Sequence, residues 1–85
     1  MNILDTVTQI YGSNNNRPEY TVQNKGSSAV KFTHKANGTF EDDFGILLEP
    51  DEGYVFTGHH ARQQMYAISA TGNSNRVLIM DPGNV

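Results

Sequence analysis

Histidines are the residues of this sequence with the most obvious capacity for metal chemistry. His59 and His60 are adjacent in a polar segment, whereas His34 lies in an apolar one. Neighbouring residues of a strand point to opposite faces, and neither His-x-His nor His-x-x-x-His spacing occurs, so no metal site is predicted. We expect His59 and His60 to be solvated loop residues. We expect His34 to lie at the edge of the core with a hydrogen-bond partner.

The acidic run Glu41-Asp42-Asp43 could supply hard oxygen ligands for calcium. It lacks the alternating Asp-x-Asp-x-Asp order of a calcium-binding loop, so we interpret it as a solvated acidic loop. Three charges there would also hinder aggregation of the apolar segment that follows.

Catalytic constellations are missing from the sequence. No Ser lies in a Gly-x-Ser-x-Gly elbow, and the glycines fall singly in predicted turns rather than in a phosphate-binding loop. Paired carboxylates for glycoside hydrolysis would have to come from turns or strand ends, where carboxylates are common anyway. The six carboxylates concerned are Glu41, Asp42, Asp43, Glu49, Asp51 and Glu52. We therefore predict a protein that is not an enzyme, with no catalytic residue, metal or cofactor.

Composition narrows the function further. The chain has 85 residues, no cysteine, a net charge of −3 and only six Lys and Arg, which are scattered. Nucleic-acid binding is not expected, because it requires a basic surface that displaces counterions from phosphates. The amino-terminal residues contain no basic segment followed by an apolar run, so neither a signal peptide nor a membrane span is predicted. A domain this small buries only about 60–65% of its unfolded surface, so contacts with other subunits are an expected source of stability.

Short apolar runs alternate with turn residues about every ten positions, which is typical of an all-β sandwich or barrel. We predict a small antiparallel β-sandwich, either jelly-roll-like or another Greek key. The predicted strands span 19–23, 28–34, 44–49, 54–57, 64–70 and 75–81. The turn Asn24-Lys25-Gly26-Ser27 predicts that the first two strands form a hairpin. In the fifth strand, Tyr66 and Ile68 are expected to face inward.

The amino-terminal segment has two interpretations. Its apolar residues fit helical spacing in one frame and strand alternation in another. Residues 14–18 are polar and end at Pro18, so residues 1–18 could be an arm and linker that pack on a neighbouring subunit, with the sandwich domain at 19–85. The alternative is an ordinary edge strand followed by a long loop.

Two further features suggest a binding surface. Val77-Leu78-Ile79-Met80 is apolar on both faces, so its outer face is covered either within the domain or by another subunit. Phe40 lies in a polar loop, where an aromatic side chain could anchor a partner. The candidate interface residues are Ile3, Leu4, Val7, Ile10, Tyr11, Phe40, Leu78 and Met80.

The order of turns and core positions from residue 19 to 81 resembles the small β-sandwich virion proteins of tailed bacteriophages. The residues that carry the resemblance are Tyr20-Thr-Val-Gln-Asn24, Gly26-Ser-Ser, Val30-Lys-Phe32, Leu48-Glu-Pro50-Asp-Glu-Gly53, Tyr54-Val-Phe56 and Tyr66-Ala-Ile68-Ser-Ala70. The sequence departs from that family's usual Pro-Gly-Glu turn, because it has Pro50-Asp51-Glu52-Gly53 there.

The resemblance implies a structural role in a virion. The first expectation is a capsid decoration protein that binds the major capsid protein or another virion protein, often as a homo-oligomer such as a trimer. A neck or tail adaptor, or a fibre component, is an alternative structural role. From the residues alone, a glycan- or receptor-binding module that uses loops 35–43 and 58–63 is the other alternative.

Overall fold

The computed structural model describes residues 1–80. They form eight strands and one short helix: β1 (Asn2–Ile3), β2 (Thr8–Tyr11), β3 (Glu19–Asn24), β4 (Val30–Thr33), β5 (Ile46–Leu48), β6 (Gly53–Thr57), α1 (Gly58–Arg62), β7 (Met65–Ser69) and β8 (Asn75–Met80). All six predicted strands are present, up to Met80. The end of the last one at Asp81, and the rest of the predicted domain to residue 85, lie outside the described residues.

The strands form two four-stranded antiparallel sheets, so the predicted all-β sandwich is confirmed. The front sheet has the order β1-β8-β3-β6, and the back sheet has the order β2-β7-β4-β5. This order is that of a jelly roll, in which the chain passes between the sheets at nearly every connection. Among the strands of residues 1–80, only β4 and β5 are consecutive in the chain and neighbours in one sheet.

The core fills the space between the two sheets. Tyr20 lies near its centre, with its ring centroid 5.0 Å from that of Phe56. Phe32, on the back sheet, places its ring 6.3 Å from Phe56 and so links the two layers. The buried cluster contains Ile3, Tyr20, Val22, Val30, Phe32, Leu48, Phe56, Ala61, Met65, Ala67 and Val77.

The predicted hairpin between residues 19–23 and 28–34 is wrong. β3 pairs with β6 and β8, whereas β4 pairs with β5 and β7, so residues 25–29 cross between the sheets. The side-chain amide of Asn24 donates to the carbonyls of Ser28 (2.8 Å) and Leu48 (2.9 Å). A Cβ on Gly26 would lie 2.0 Å from Oδ1 of Asn75. The turn residues therefore serve a tight crossing, not a hairpin.

The amino-terminal segment lies within the sandwich, as in the edge-strand interpretation. β1 pairs with β8 and β2 pairs with β7, so each is an edge strand of its sheet. The backbone N–H of Ser69 donates to the carbonyl of Leu4 at 2.9 Å. The expected linker is packed as well, since the N–H of Asn14 donates to the carbonyl of Arg62 at the end of α1 (3.0 Å).

The predicted orientation of residues 64–70 is also wrong. Met65, Ala67 and Ser69 face the core, while Ile68 lies on the outer face of the back sheet, opposite Lys31 of β4. The small inward side chains at Ala67 and Ser69 leave room for Ile3, whose carbonyl accepts a 2.6 Å bond from the Ser69 hydroxyl. The polar segment after β6, predicted as a loop, forms α1 over residues 58–62.

Candidate functional site

The amino-terminal candidate residues divide into one core residue and several partly accessible ones. Ile3 is completely buried in the core, so it is not available for contact with a partner. Leu4 is 53% exposed. Val7, Ile10 and Tyr11 are half-buried, and the last two pack against the core. Only Leu4 therefore presents a largely free apolar side chain here.

The outer face of the front sheet carries an apolar patch. Leu78 and Met80 point outward from β8 and are 41% and 69% exposed, while Val77 between the sheets is buried. Val55 of β6 is 48% exposed. Met80 and Val55 flank Thr21 of β3 in one row of the sheet. We call Val55, Leu78, Met80 and Thr21 the front patch.

No side chain of residues 1–80 covers the front patch, whose floor is a shallow depression between β3 and β8. The sequence left two alternatives for the outer face of this last strand, coverage within the domain or coverage by another subunit. Residues 1–80 do not provide coverage within the domain. Exposed apolar side chains on adjacent strands are typical of a surface that contacts another molecule.

A second surface lies at the open side of the sandwich where β5 and β6 are the edge strands, between residues 44–46 and α1. It is a cleft of about 250 Å³. Its floor is formed by Phe32, Phe56 and Met65, which are nearly fully buried, and Ile46 and Phe44 form one wall. His34, Lys35 and His60 contribute the ionisable groups of its lining. The cleft lies beside the loops that the sequence suggested for a receptor-binding module.

The aromatic residue that stands out at this cleft is Phe44, not Phe40. Phe44 is 61% exposed, whereas Phe40 is half-buried and does not line the cleft. Gly45, at φ 112°, brings the chain so close to β4 that a Cβ would lie 2.5 Å from the carbonyl oxygen of Phe32. The Asp42 carboxylate accepts a 3.0 Å bond from the N–H of Phe44. The exposed ring is therefore held on a fixed backbone.

The loop that carries Phe44 is fastened to the back sheet by Lys31 and Asp42. The buried ammonium group of Lys31 bonds the carboxylate and carbonyl of Asp42, and it donates to the carbonyl of Thr39 at 3.1 Å. The bond from Lys31, assisted by the backbone N–H groups of Thr39 and Phe44, holds the pKa of Asp42 well below its usual value. The predicted solvated acidic loop thus contains one carboxylate that organises it.

His34 and His60 form a hydrogen-bonded pair at the cleft. Their rings are 5.3 Å apart and nearly parallel, at 6°. Nδ1 of His34 lies 2.8 Å from the carbonyl oxygen of Gln64, which can only accept, so Nδ1 carries the proton. In the neutral pair, Nε2 of His34 then accepts from Nδ1 of His60 at 3.1 Å, which leaves Nε2 of His60 without a proton. His34 has the hydrogen-bond partner that its position predicted, but His60 is not merely a solvated loop residue.

Arg17 is a further polar residue that sequence reasoning missed. Its guanidinium group is buried, donates to the carbonyl of Ala61 at 2.9 Å and lies 4.2 Å from the ring centroid of Tyr11. These contacts fasten residues 12–17 against α1. In the sequence, Arg17 looks like an ordinary surface cation in a polar segment, so no pattern identifies it.

Within residues 1–80, no group of three or more His, Asp or Glu side chains converges to hold a metal ion. In the same part of the chain, no helix has the length and apolar character needed to cross a membrane. Comparison of the chain with protein-family models, with curated proteins and with solved structures finds no match.

Proposed function

We propose that this chain is a non-enzymatic structural protein of a bacteriophage virion, of the capsid decoration type. The observation that carries the proposal is the front patch, where Leu78, Met80 and Val55 expose apolar side chains on neighbouring strands. Jelly rolls serve as viral capsid and lectin domains among others, so the fold alone does not select the function.

A sheet face of this kind suits docking on a large, ordered surface. The patch side chains are apolar except for the hydroxyl of Thr21. Gln23 lies beside Leu78 on the same face, and the charged residues Glu19 and Arg76 occupy the next outward positions of β3 and β8. Burial of apolar area stabilises a contact by about 25 cal/mol per Å². One small patch binds weakly, but many copies on one shell reinforce each other if they also contact their neighbours. The partner in this proposal is the major capsid protein or another virion protein.

Single-residue variants on the front patch test the proposal. Met80→Glu and Leu78→Glu place a charge on the docking face while leaving the core untouched. We expect both to abolish co-sedimentation of the purified protein with virions from its source. Leu47→Glu is the matched control, because Leu47 is an exposed leucine on the back sheet. Circular dichroism would verify that all three variants fold.

Unchanged co-sedimentation of Met80→Glu and Leu78→Glu would overturn this docking face. Absence of the chain from purified virions, measured by mass spectrometry, would overturn the virion role itself. Deletion of residues 1–16 is unsuitable as a test, because it would remove β1, β2 and the buried Ile3 along with any contact they make.

A neck or tail adaptor, or a fibre component, would use the same patch in a different assembly. Light scattering coupled to gel filtration, together with copy number in the virion, separates these possibilities. We expect a homo-oligomer, such as a trimer, with many copies for a decoration protein. A closed ring present once per particle would instead indicate the neck or tail.

A further inference from the structure

The cleft between β5 and α1 has features of a ligand site that the proposed docking function does not use. Its floor is formed by the rings of Phe32 and Phe56 and by the Met65 side chain, all nearly fully buried. Phe44 adds an exposed aromatic ring at its rim. A pocket with apolar and aromatic walls and few polar groups is the usual form of a small-molecule site.

The size of the cleft sets the size of the ligand. Its volume is about 250 Å³. An apolar cavity of roughly 150 Å³ accommodates a benzene ring. The cleft therefore holds one six-membered ring with a short substituent, and it is too small for a drug-sized molecule or for a chain of sugars.

The polar groups of the lining set the charge of the ligand. Among residues 1–80, Lys35, His34 and His60 line the cleft, and no Asp or Glu does. The ammonium group of Lys35 lies 4.4 Å from the centroid of the Phe44 ring, so a positive charge stands beside the aromatic rim. Asp42 lies 3.9 Å from the same ammonium group but is already bonded to Lys31 and to two backbone N–H groups. An incoming carboxylate would complement this lining.

The histidine pair supplies a second donor for such a group. Nε2 of His60 has no proton in the neutral pair and becomes a donor when His60 is protonated. The bond from its Nδ1 to His34 stays in place on protonation, because His34 accepts it at Nε2. Nε2 of His60 is thus the nitrogen of the pair that can bond an anion in the cleft while the hydrogen bond between the two rings is kept.

We infer that this cleft binds a small aromatic carboxylate, with the ring over Phe32 and Phe56 against Phe44 and the carboxylate at Lys35 and His60. The inference is independent of the proposed capsid contact, because the cleft shares no residue with the front patch.

Titration of the full-length chain with phenylacetate, followed by amide NMR, tests the inference. We expect saturable shifts confined to the residues that line the cleft, which are 32–35, 44–46, 56, 60 and 65. Phenylacetamide has the same shape without the charge, and acetate lacks the ring. Phenylacetamide should bind at least about tenfold more weakly because it loses the charge-assisted hydrogen bond, and acetate should bind at least about tenfold more weakly because it buries no ring.

Variants test which residues bind the ring of the ligand and which bind its carboxylate. Phe44→Ala should weaken phenylacetate binding about tenfold or more. Lys35→Met should weaken phenylacetate and leave phenylacetamide unchanged. His60→Ala should lower affinity, whereas His59→Ala, a change of the adjacent histidine outside the lining, should not. Equal binding of phenylacetate and phenylacetamide, shifts outside the cleft, or no saturable binding of phenylacetate would each overturn the inference.

Discussion

Tyr20→Phe is expected to stabilise this protein, although it removes a polar atom from the centre of a well-packed core. The Tyr20 side chain is completely buried, and its hydroxyl has no hydrogen-bond partner within residues 1–80. In the unfolded chain the same hydroxyl is bonded by water, so folding desolvates it without compensation.

The size of the effect follows from that desolvation. An unsatisfied buried hydroxyl costs about 1–3 kcal/mol, and the packing lost with one oxygen atom returns only a fraction of this. We expect the free energy of unfolding to rise by about 1–2 kcal/mol. For a domain of this size, each 1 kcal/mol raises the melting temperature by about 4–8 °C. Thermal and urea unfolding at neutral pH, followed by circular dichroism, would measure both quantities.

Alkaline pH provides a second measurement on the same variant. Burial raises the pKa of Tyr20 far above its usual value, and the nearby guanidinium group of Arg17 only partly opposes this. Above about pH 10 the unfolded chain ionises its tyrosine while the folded protein does not, so the wild type loses stability as pH rises. The difference between Tyr20→Phe and wild type should therefore widen above that pH.

Ser69→Ala is the matched control. Ser69 is also completely buried, but its hydroxyl donates to the carbonyl of Ile3 at 2.6 Å and accepts from the amide of Asn75 at 2.9 Å. Its removal leaves these partners unsatisfied and should cost about 1–3 kcal/mol. A loss of about 1 kcal/mol or more in Tyr20→Phe would show that this hydroxyl is bonded in solution, for example by a buried water, and would refute the reasoning.

Three further changes probe the crossing, the edge strands and the loop. Gly26→Ala places a methyl group 2.0 Å from Oδ1 of Asn75 and should lower the free energy of unfolding by about 1–3 kcal/mol, measured by urea unfolding. Ile3→Ala removes a fully buried side chain and should cost about 2–5 kcal/mol in the same assay, whereas a free arm would tolerate it. Asp42 has a lowered pKa in the folded state, so its stabilising effect is present above about pH 4 and lost as pH falls further. Asp42→Asn should therefore flatten the acid limb of the stability profile; an acid limb identical to that of the wild type would contradict this role.

Strand positions could be predicted from the sequence because they depend on local alternation. The runs around Tyr20 and Val22, and around Ile46 and Leu48, alternate clearly, and each lies in a strand with those residues facing inward or toward the core. Turn residues marked the ends of strands correctly as well. These features involve residues that are neighbours along the chain.

Strand pairing could not be predicted in the same way. Asn24 and Gly26 are typical of a hairpin, but here they serve a crossing that Asn75, far away in the sequence, closes by accepting the N–H of Ser28 at 3.0 Å. The orientation of β7 involves Ile3 as well, since Ile3 and Ala67 share the buried cluster and the Ser69 hydroxyl donates to the Ile3 carbonyl. Strand pairing and strand orientation therefore depend on contacts between residues that are distant in the sequence.

The candidate sites could be predicted only where they depend on residues that are neighbours along the chain. An outer face at Leu78 and Met80 followed from a strand that is apolar on both sides. Val55 could join it only once β3 was known to lie between β6 and β8. Phe44 looked like the first residue of an ordinary strand, and its exposure arises from Gly45 and the bond to Asp42 rather than from any pattern.

One strand, β6, connects the front patch with the cleft. Val55 points outward into the patch, and the next residue, Phe56, points inward to the floor of the cleft, because side chains alternate along a strand. Within residues 1–80, β6 is also the edge of its sheet and pairs with β3 alone. Val55 also borders a depression that contains His60, so Leu78→Glu is the cleaner change: it should disturb the capsid contact and leave phenylacetate binding intact, whereas Phe44→Ala should do the reverse. If either change affects both activities equally, the two surfaces act as one site, and the separate assignments made for them are wrong.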